Sequence, residues 1–551
     1  MSRPAAPSSA SEWLARGFVA VVAALGAVDE FLPRLLRADS HSGDLSQHVW
    51  WTARFADPEL FPGDFIADFF SLPLFAPPGY QAIFRLAVPF ADPQTVAELI
   101  PFALAVPLVV FCWRAGRAAA GGALAGALAG ACLSLRLFPH MNDGLARSFA
   151  LPLLAMGMAG LLERRPWLLG LAALLAALFY PPLTVNLGLA AALVLGPELL
   201  RTRRLPPGWP ALAALGGLAL AAVAYSYATP LPLDVGPKVT AAEARAMPEF
   251  GPHGRSKMFK EGTLETYLGK GRGGFGLELS QSALLAAAVA ASLRWLPGAV
   301  PGPVWALLGG ALLAHALAHV VLFALHLPSR YTLYAIPIFV LLWLASLAGP
   351  VWARLTTRFP WLGRPALLCA IALVWLVRTG PATVEDAMEH ARRPANLGRE
   401  RAFAFVATLP EDALVAAHPE DADSIPLRTR RSVLASKEVA LPYYLGYYQR
   451  LAERLEAALR GFYALDWAEV EALHERYGAD VMLVNRGRFD VGSRRFVEPF
   501  RSRLADRLDS GPADRYVLRD PPADRILYRG GAWTAVRLGP ARPGYEAVAE
   551  R

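Results

Sequence analysis

The stretch "PWLLGLAALLAALFYPPLTVNLGLAAALVLGP", residues 166–197, carries no charged side chain between Arg165 and Glu198. A membrane-spanning helix needs about 20 consecutive apolar residues. The run is therefore long enough for two crossings, or for one helix broken at Tyr180-Pro181-Pro182. Over the whole chain of 551 residues, 55% are hydrophobic and 18% are charged, which is less charge than a soluble protein of this length carries. The sequence predicts a polytopic α-helical membrane protein.

Further apolar runs on both sides bring the expected number of transmembrane helices to about eleven. The first run is the least regular because charged residues lie at its ends. It lacks a small-residue cleavage site, so we expect a retained anchor and not a removed signal peptide. The predicted spans lie near residues 13–34, 96–113, 118–136, 145–162, 166–181, 183–200, 209–228, 280–297, 303–326, 331–349 and 364–379.

The arginines between the spans predict how the chain is oriented. Cytoplasmic loops are enriched in Lys and Arg, and arginines are concentrated in every second loop: Arg114, Arg117, Arg164, Arg165, Arg201, Arg203, Arg204, Arg294, Arg354, Arg358 and Arg364. The short alternate loops hold only Arg136, Arg147 and Arg330. This pattern predicts a cytoplasmic amino terminus. It places two long loops (residues 37–95 and 229–279) and the carboxyl terminus in the periplasm of a bacterial inner membrane.

Composition changes near residue 380, which predicts two domains, 1–379 in the membrane and 380–551 as a soluble periplasmic α/β domain. In this tail, "DALVAAH" and "DVMLVNR" are typical of strands, as are "RYVLRD", "DRILYRG" and "AWTAVRL" near the end. "YYQRLAERLEAALRGF" and "WAEVEALHERYG" have the apolar spacing of amphipathic helices.

Net charge and cysteine content exclude several classes of protein. The net charge of +8 does not indicate nucleic-acid binding, because much of the excess lies in the short loops. The cysteines (Cys112, Cys132 and Cys369) all fall in predicted spans. They cannot build a disulfide framework or a cysteine zinc site.

The first long loop concentrates polar and aromatic residues in "SGDLSQHVWWTARFADPELFPGDF", residues 42–65. We predict a helix from Leu45 that Asp44 caps and that breaks at Asp57-Pro58, with Gln47, His48, Trp51 and Phe55 on the face of Asp44. A turn at "FPGD" would then present Asp64. Carboxylates and amides bind sugar hydroxyls, and aromatic rings cover apolar sugar faces. The alternative is an interfacial helix anchored by its tryptophans.

This loop resembles that of the GT-C membrane glycosyltransferases, which include protein O-mannosyltransferases, aminoarabinose transferases and oligosaccharyltransferases. The segments "GDLSQH", "DPELFPGD", "DGLARSFALPLL" (residues 143–154) and "LPSRY" (residues 327–331) are similar to those of uncharacterised bacterial members. The resemblance implies a first-loop acid as catalytic base and a polyprenyl-phosphate or polyprenyl-diphosphate sugar donor. The chain has no Asp-Glu pair in this loop. Asp44 and Asp64 therefore both remain candidates for the base, and Asp44 is preferred.

Sugar transfer from a lipid phosphate also requires cations for the leaving group. Arg330, beside Tyr331 in "LPSRY", and Arg147 lie at predicted outer span ends, where a guanidinium suits phosphate. Anchoring to lipid headgroups is an equal alternative for both arginines. His315 and His319 share one face of the ninth span, but no third metal ligand lies nearby. For that pair we therefore favour interhelical hydrogen bonds.

The sequence thus favours a periplasmic-side glycosyltransferase with Asp44 as base. Gln47, His48 and Trp51 would contact substrate, and Arg147 and Arg330 would hold the donor phosphate next to Tyr331. Asp64 would bind the acceptor or a divalent cation (Mg²⁺ or Mn²⁺), and no other cofactor is expected. The expected partners are a polyprenyl-phosphate sugar, a glycan, lipid or protein acceptor, and membrane lipids, with no nucleic acid. The alternatives are a transporter or lipid flippase, and a non-catalytic membrane protein with a binding tail.

Overall fold

The computed structural model describes residues 9–36, 43–363, 397–509, 511–540 and 543–545. This part of the chain is mostly helical, with one small sheet near the carboxyl terminus. The eleventh predicted span (residues 364–379) and the predicted domain boundary near residue 380 lie outside the described residues.

Apolar helices make the chain a multi-pass membrane protein. In the described part of the chain, six helices are long and apolar enough to cross a membrane: Pro93–Ala119, Leu124–Gly144, Pro182–Thr202, Trp209–Ala228, Gly302–Val320 and Ser329–Arg358. The other helices of this region are Ser9–Leu35, Ala150–Leu162, Pro166–Phe179 and Leu279–Trp295. The expected number of eleven crossings is therefore not confirmed.

The run of residues 166–197 forms two helices. Each begins with a proline, whose missing amide hydrogen costs nothing in the first turn of a helix. Between the two helices, Tyr180 leaves the helical region at φ −150° and ψ 82°. The first helix therefore ends at Phe179, and the side chain of Tyr180 lies at one end of the bundle.

Glycines allow close packing inside the bundle. A Cβ atom on Gly130 would collide with the carbonyl oxygen of Cys112, and one on Gly116 would lie 2.5 Å from the carbonyl oxygen of Gly126. Helices Pro93–Ala119 and Leu124–Ser134 thus touch backbone to backbone, the usual arrangement where small residues line a membrane helix interface.

Short helices fill both long loops. The first loop contains Gly43–His48, the 3₁₀ helix Trp50–Phe55, Phe65–Phe70 and Pro78–Ala87, and the second contains Leu233–Val235, Ala241–Ala246, Pro248–Phe250 and Thr263–Leu268. The helix predicted from Leu45 to the break at Asp57-Pro58 was wrong in its extent. It ends at His48, and the Thr52 hydroxyl donates to the Val49 carbonyl at 2.6 Å in the tighter 3₁₀ turn that follows. Asp44 lies inside the first helical turn, not at the N-cap.

The tail contains a five-stranded sheet of order β2-β1-β3-β5-β4. Its strands are β1 (Leu414–Ala417), β2 (Ser432–Val433), β3 (Val481–Asn485), β4 (Ile526–Gly530) and β5 (Trp533–Arg537). Strand β1 is parallel to β2 and β3, and β5 is antiparallel to β3 and β4. The tail helices are Leu397–Val406, Pro419–Ala422, Ile425–Thr429, Leu445–Phe462, Trp467–Tyr477, Phe500–Arg503 and Ala505–Leu508.

Four of the five predicted strands and both predicted helices of the tail are present. The prediction for "RYVLRD" was wrong, because this segment forms the 3₁₀ turn Val517–Arg519. Tyr516 and Leu518 are buried in the core, and the Val517 amide donates to the carbonyl of Ala464 at 3.1 Å. The apolar residues of this segment thus reflect core packing and not strand pairing.

The tail is joined to the second long loop by backbone hydrogen bonds. The Val239 amide donates to the Tyr443 carbonyl, and the Leu445 amide donates to the Pro237 carbonyl, both at 3.0 Å. We call residues 236–239 and 443–446 the latch. Since the tail also contacts the first long loop, both loops and the tail lie together at one end of the helix bundle.

Candidate active site

A cavity of about 300 Å³ lies where the helix ends, both long loops and the tail meet. Tyr180 and Tyr227 line it from the bundle, and Tyr443 and Tyr444 line it from the tail. Its charged lining residues are Asp44, Arg147, Lys238, Arg272 and Arg330. Among the described residues that line the cavity, Asp44 is therefore the sole carboxylate against four cationic side chains.

Asp44 forms an ion pair with Arg147, with Oδ2 and Nη2 2.6 Å apart. Burial by itself raises the pKa of Asp44. The charge and hydrogen bond of Arg147 oppose it, as do the more distant charges of His48 and Arg330, and together they lower the pKa to about 2. The Asp44 side chain remains 38% exposed, toward the cavity. An ionised oxygen acceptor is thus available to a ligand at neutral pH.

Gln47 and His48 also line the cavity, one helical turn from Asp44. Gln47 is buried, and the His48 ring meets the Phe70 ring edge to face, with 5.5 Å between centroids. Burial lowers the pKa of His48 to about 4, since the attraction of Asp44 only partly offsets it. The imidazole is therefore neutral at pH 7, with one donor and one acceptor nitrogen.

Arg330, like Lys238, is a cation of the cavity whose side chain forms no ion pair among the described residues. Its Nε is buried without a hydrogen-bond partner among the described residues, and no ion pair within them involves its guanidinium. Arg147 is matched by Asp44, and Arg272 Nη1 donates to the Tyr443 hydroxyl at 2.9 Å. A guanidinium left unpaired in a cavity is prepared for an anionic ligand.

Lys238 faces the same space from the second long loop. Its Nζ lies 5.8 Å from the centroid of the Tyr227 ring and 5.7 Å from that of the Tyr444 ring. These distances allow cation–π contact. Burial lowers the pKa of Lys238. The cavity therefore combines a cationic wall with tyrosine faces.

Three residues expected to bind substrate lie outside the described cavity lining. Trp51 is 2% exposed and packs edge to face on Phe55. Tyr331 is equally buried, and its carbonyl accepts from Asn186 Nδ2 at 2.8 Å. Asp64 is turned inward as well. The structure thus brings together Asp44, Gln47, His48, Arg147 and Arg330, and leaves these three apart.

Asp64 caps the helix Phe65–Phe70. Its Oδ1 accepts from the amides of Ile66 and Ala67 at 2.9 and 3.3 Å. Burial raises the pKa of Asp64, although the Ser432 hydroxyl and the two amides pull it down in part. The "FPGD" turn exists, with Phe61 and Gly63 at positive φ, but it buries the carboxylate. The acceptor-binding or cation-binding role of Asp64 stays a prediction.

His315 and His319 stabilise the second long loop. His315 Nδ1 and Nε2 lie 3.2 Å from the carbonyl oxygens of Pro328 and Tyr267, and His319 Nε2 lies 2.7 Å from that of Gly273. Their partners are thus backbone carbonyls of Pro328 and of the second long loop, including its short helix Thr263–Leu268, and not the neighbouring transmembrane helices. These contacts hold the segment that carries Arg272 against the end of the bundle.

A divalent cation would find few ligands here. The cavity offers it one carboxylate, which already binds Arg147. No group of three or more His, Cys, Asp or Glu side chains within the described ranges could hold a metal ion. The residues present do not fit a resident metal, so the cationic side chains are left as the partners of an anion.

Sequence reasoning missed Lys238, Tyr443 and Tyr444. The tail segment "LPYYLGYY" (residues 441–448) contains four tyrosines. This density of aromatic side chains at the start of a helix was the one local signal that the segment could contribute to a site. Lys238 carried no signal of its own. It is one of several basic residues in a loop of mixed charge, and only the backbone pairing in the latch directs it toward the cavity.

Comparisons with known proteins identify the fold. The archaeal oligosaccharyltransferase AglB from Archaeoglobus fulgidus, solved with an inhibitory peptide and a dolichol-phosphate, is similar over 87% of this chain and 70% of its own. The sequence identity is 11% and the TM-score is 0.50. A second structure of an oligosaccharyltransferase from this organism, with zinc and sulfate, covers the same shares at 12% identity and a TM-score of 0.42. No protein-family model and no curated protein sequence matches the chain. The likeness to AglB shows that this chain shares its fold.

Proposed function

We propose that the protein is an integral-membrane glycosyltransferase that transfers a sugar from a polyprenyl-phosphate donor to an acceptor. The observation that carries this proposal is one cavity in which the sole carboxylate among the described lining residues faces four cationic side chains. The fold shared with AglB, whose structure holds a dolichol-phosphate, supports it. With the orientation predicted from the arginines, transfer takes place on the periplasmic side of a bacterial inner membrane.

The proposed reaction is one in-line displacement at the anomeric carbon. Asp44 takes the proton of the acceptor hydroxyl as its oxygen bonds to that carbon. The bond from the carbon to the phosphate oxygen breaks at the same time, and its electron pair leaves with the lipid phosphate. Arg330 and Arg147 stabilise the negative charge that develops on this phosphate. The sugar configuration inverts at this carbon.

Arg147 links the two halves of this reaction. In the structure it holds Asp44 in an ion pair and keeps its pKa low, and a base of low pKa has little driving force to take a proton. A donor phosphate that draws the Arg147 guanidinium away would remove the main effect that opposes burial and so raise the pKa of Asp44. Donor binding thereby prepares the base for the acceptor.

The remaining side chains of the cavity orient the substrates. Gln47 and neutral His48 offer both donors and acceptors to sugar hydroxyls. The rings of Tyr180, Tyr227 and Tyr444 provide flat surfaces for a sugar or a prenyl chain. These residues surround the acid and the cations, so the reacting atoms would be kept from bulk water.

The test is Asp44→Asn, which keeps the size of the side chain but cannot take a proton. We expect turnover to fall by about 10²–10⁴-fold, the usual share of a general base, with folding intact. Asp68→Asn is the matched control, because Asp68 lies on the same loop in an exposed ion pair with Arg54. An Asp44→Asn enzyme with parental turnover on a defined glycosyl substrate would refute the assignment.

The substrates can be identified by mass spectrometry of polyprenyl-linked sugars and surface glycans from deletion and parent cells. A lipid-linked sugar that accumulates in the deletion strain would be the donor, and the glycan that disappears would carry the product. Unchanged lipids and glycans would count against glycosyl transfer and in favour of a transport or binding role.

A further inference from the structure

The helix that carries Asp44 is too short to be stable alone. It has six residues, whereas isolated helices shorter than about 12–15 residues are marginal in water. Its position must therefore come from packing. Leu45, Ser46 and Gln47 are buried, so most of this helix is in contact with other parts of the chain, including the tail.

The tail contacts this helix at its first turn. A Cβ atom built on Gly43 would lie 3.0 Å from Cγ and Cδ of Glu438, so the Glu438 side chain rests against the residue that precedes Asp44. Further along, the hydroxyls of Ser46 and Ser424 are 3.5 Å apart. Two residues of the tail thus contact the helix of the candidate base.

Glu438 is itself held on two sides. Arg255 of the second long loop forms an ion pair with its carboxylate and donates to the carbonyls of Lys437 and Glu438 at 3.1 and 3.2 Å. The Glu438 amide donates to Asp423 Oδ1 at 2.8 Å. The side chains of Arg255 and Glu438 are only 14% and 21% exposed, so solvent screens this pair less than a surface pair.

We propose that Arg255 and Glu438 form a clamp that positions Asp44 for catalysis. This inference rests on the proposed function, in which Asp44 is the base. The clamp joins three parts of the chain that are distant in sequence, namely the first loop, the second loop and the tail. Neither residue of the clamp lines the described cavity, so both act through the helix Gly43–His48 as positioning residues. A misplacement of about 1 Å can cost roughly 100-fold in rate.

The test is Glu438→Gln, which keeps the shape of the side chain and removes the charge that Arg255 binds. We expect kcat to fall about 10- to 100-fold, with KM for donor and acceptor within about twofold, because the cavity lining is unchanged. Glu469→Gln is the matched control. Glu469 binds Arg507 through two bonds of 2.7 and 3.0 Å in the tail, at similar burial and outside the described cavity lining.

Two further measurements separate the clamp from general stability and from the proposed function. In an Asp44→Asn background, Glu438→Gln should cause no further loss of turnover. Hydrogen exchange should become faster at the amides of residues 43–48 in Glu438→Gln and stay parental in Glu469→Gln, whether or not the glycosyl assay succeeds. An undiminished kcat in Glu438→Gln, an equal loss in both backgrounds, or unchanged exchange of the helix would overturn the proposal.

Gly43→Ala provides a second variant if Glu438→Gln fails to accumulate. It leaves the ion pair in place but adds a methyl group against a side chain that Arg255 holds. Asp44 should then be displaced, and kcat should fall while KM is kept. A Gly43→Ala enzyme with parental kcat would show that the contact with Glu438 does not set the position of Asp44.

Discussion

Under the proposed function, replacing Arg330 by alanine is expected to weaken donor binding. The guanidinium of Arg330 has no ion-pair partner among the described residues, whereas that of Arg147 is already offset by Asp44 at 2.6 Å. Removing Arg330 takes away a cation that forms no ion pair with a described residue and whose bonds to a phosphate no neighbour replaces.

The size of the effect follows from the bonds that are lost. A hydrogen bond to a charged group contributes about 1.5–3 kcal/mol, and about 1.4 kcal/mol corresponds to a factor of ten. We therefore expect Arg330→Ala to raise the KM for donor roughly 10- to 150-fold. Arg330→Lys should fall between the parent and the alanine variant, because an ammonium supplies charge without the two-pronged geometry of a guanidinium.

The assay is the initial rate of sugar transfer in reconstituted vesicles over a range of donor concentrations. Arg358→Ala is the control, because Arg358 lies exposed at the far end of the adjoining long helix, Ala335–Arg358. If Arg330 only anchors lipid headgroups, the two alanine variants should behave alike. A donor KM and a kcat that both remain parental in Arg330→Ala would refute the phosphate-binding role.

Further predictions concern three other residues, namely Arg147, Asp64 and His48. Arg147→Gln should raise the pKa of Asp44 from about 2. The acidic limb of a kcat/KM profile measured from pH 3 to 7 should then move to higher pH. A limb that does not move would show that Arg147 does not set the pKa of Asp44. Asp64→Ala should lower the free energy of unfolding by about 0.5–2 kcal/mol through loss of the helix cap. Asp64→Asn should keep both stability and turnover, and a raised acceptor KM in it would instead support the binding role. Burial lowers the pKa of His48 from 6.5 to about 4, so below pH 6.5 this residue binds fewer protons in the folded state than in the unfolded state. Its contribution to the free energy of unfolding is therefore present above pH 6.5 and is lost as the pH falls toward 4. The decline in melting temperature over this window should be shallower in His48→Gln.

The parts of the fold that sequence could predict are those with a strong local signal. Apolar runs with proline at residues 166 and 182 determine helix starts without help from the rest of the chain. The tail strands carry the alternation or apolar content of buried strands. The segment of residues 515–520 has the same content, yet its apolar side chains fill the core from an irregular turn. Only the tertiary packing distinguishes the two cases.

The residues of the candidate site were predicted where one short segment carried several of them. Asp44, Gln47 and His48 are adjacent in sequence, and helical spacing alone puts them on one surface. Asp64 has the same residue type in the same loop, but a turn with two positive-φ residues directs it inward, to a helix N-terminus. Lys238 and Tyr444 reach the cavity because the latch pairs them across two distant segments, a relation that no local pattern encodes.

The latch also bears on how substrates reach the cavity. Gly236 and Gly446 approach so closely that a Cβ atom on Gly236 would lie 2.6 Å from the Gly446 amide nitrogen. Moving the tail aside would break this backbone contact together with its hydrogen bonds, which makes it a cooperative local opening and not a side-chain rearrangement. Under the proposed function, we expect a lipid that enters between the helix ends to avoid that step, and a bulky acceptor from the aqueous side to depend on it. Turnover with large acceptors should therefore be limited by the opening rate of the tail.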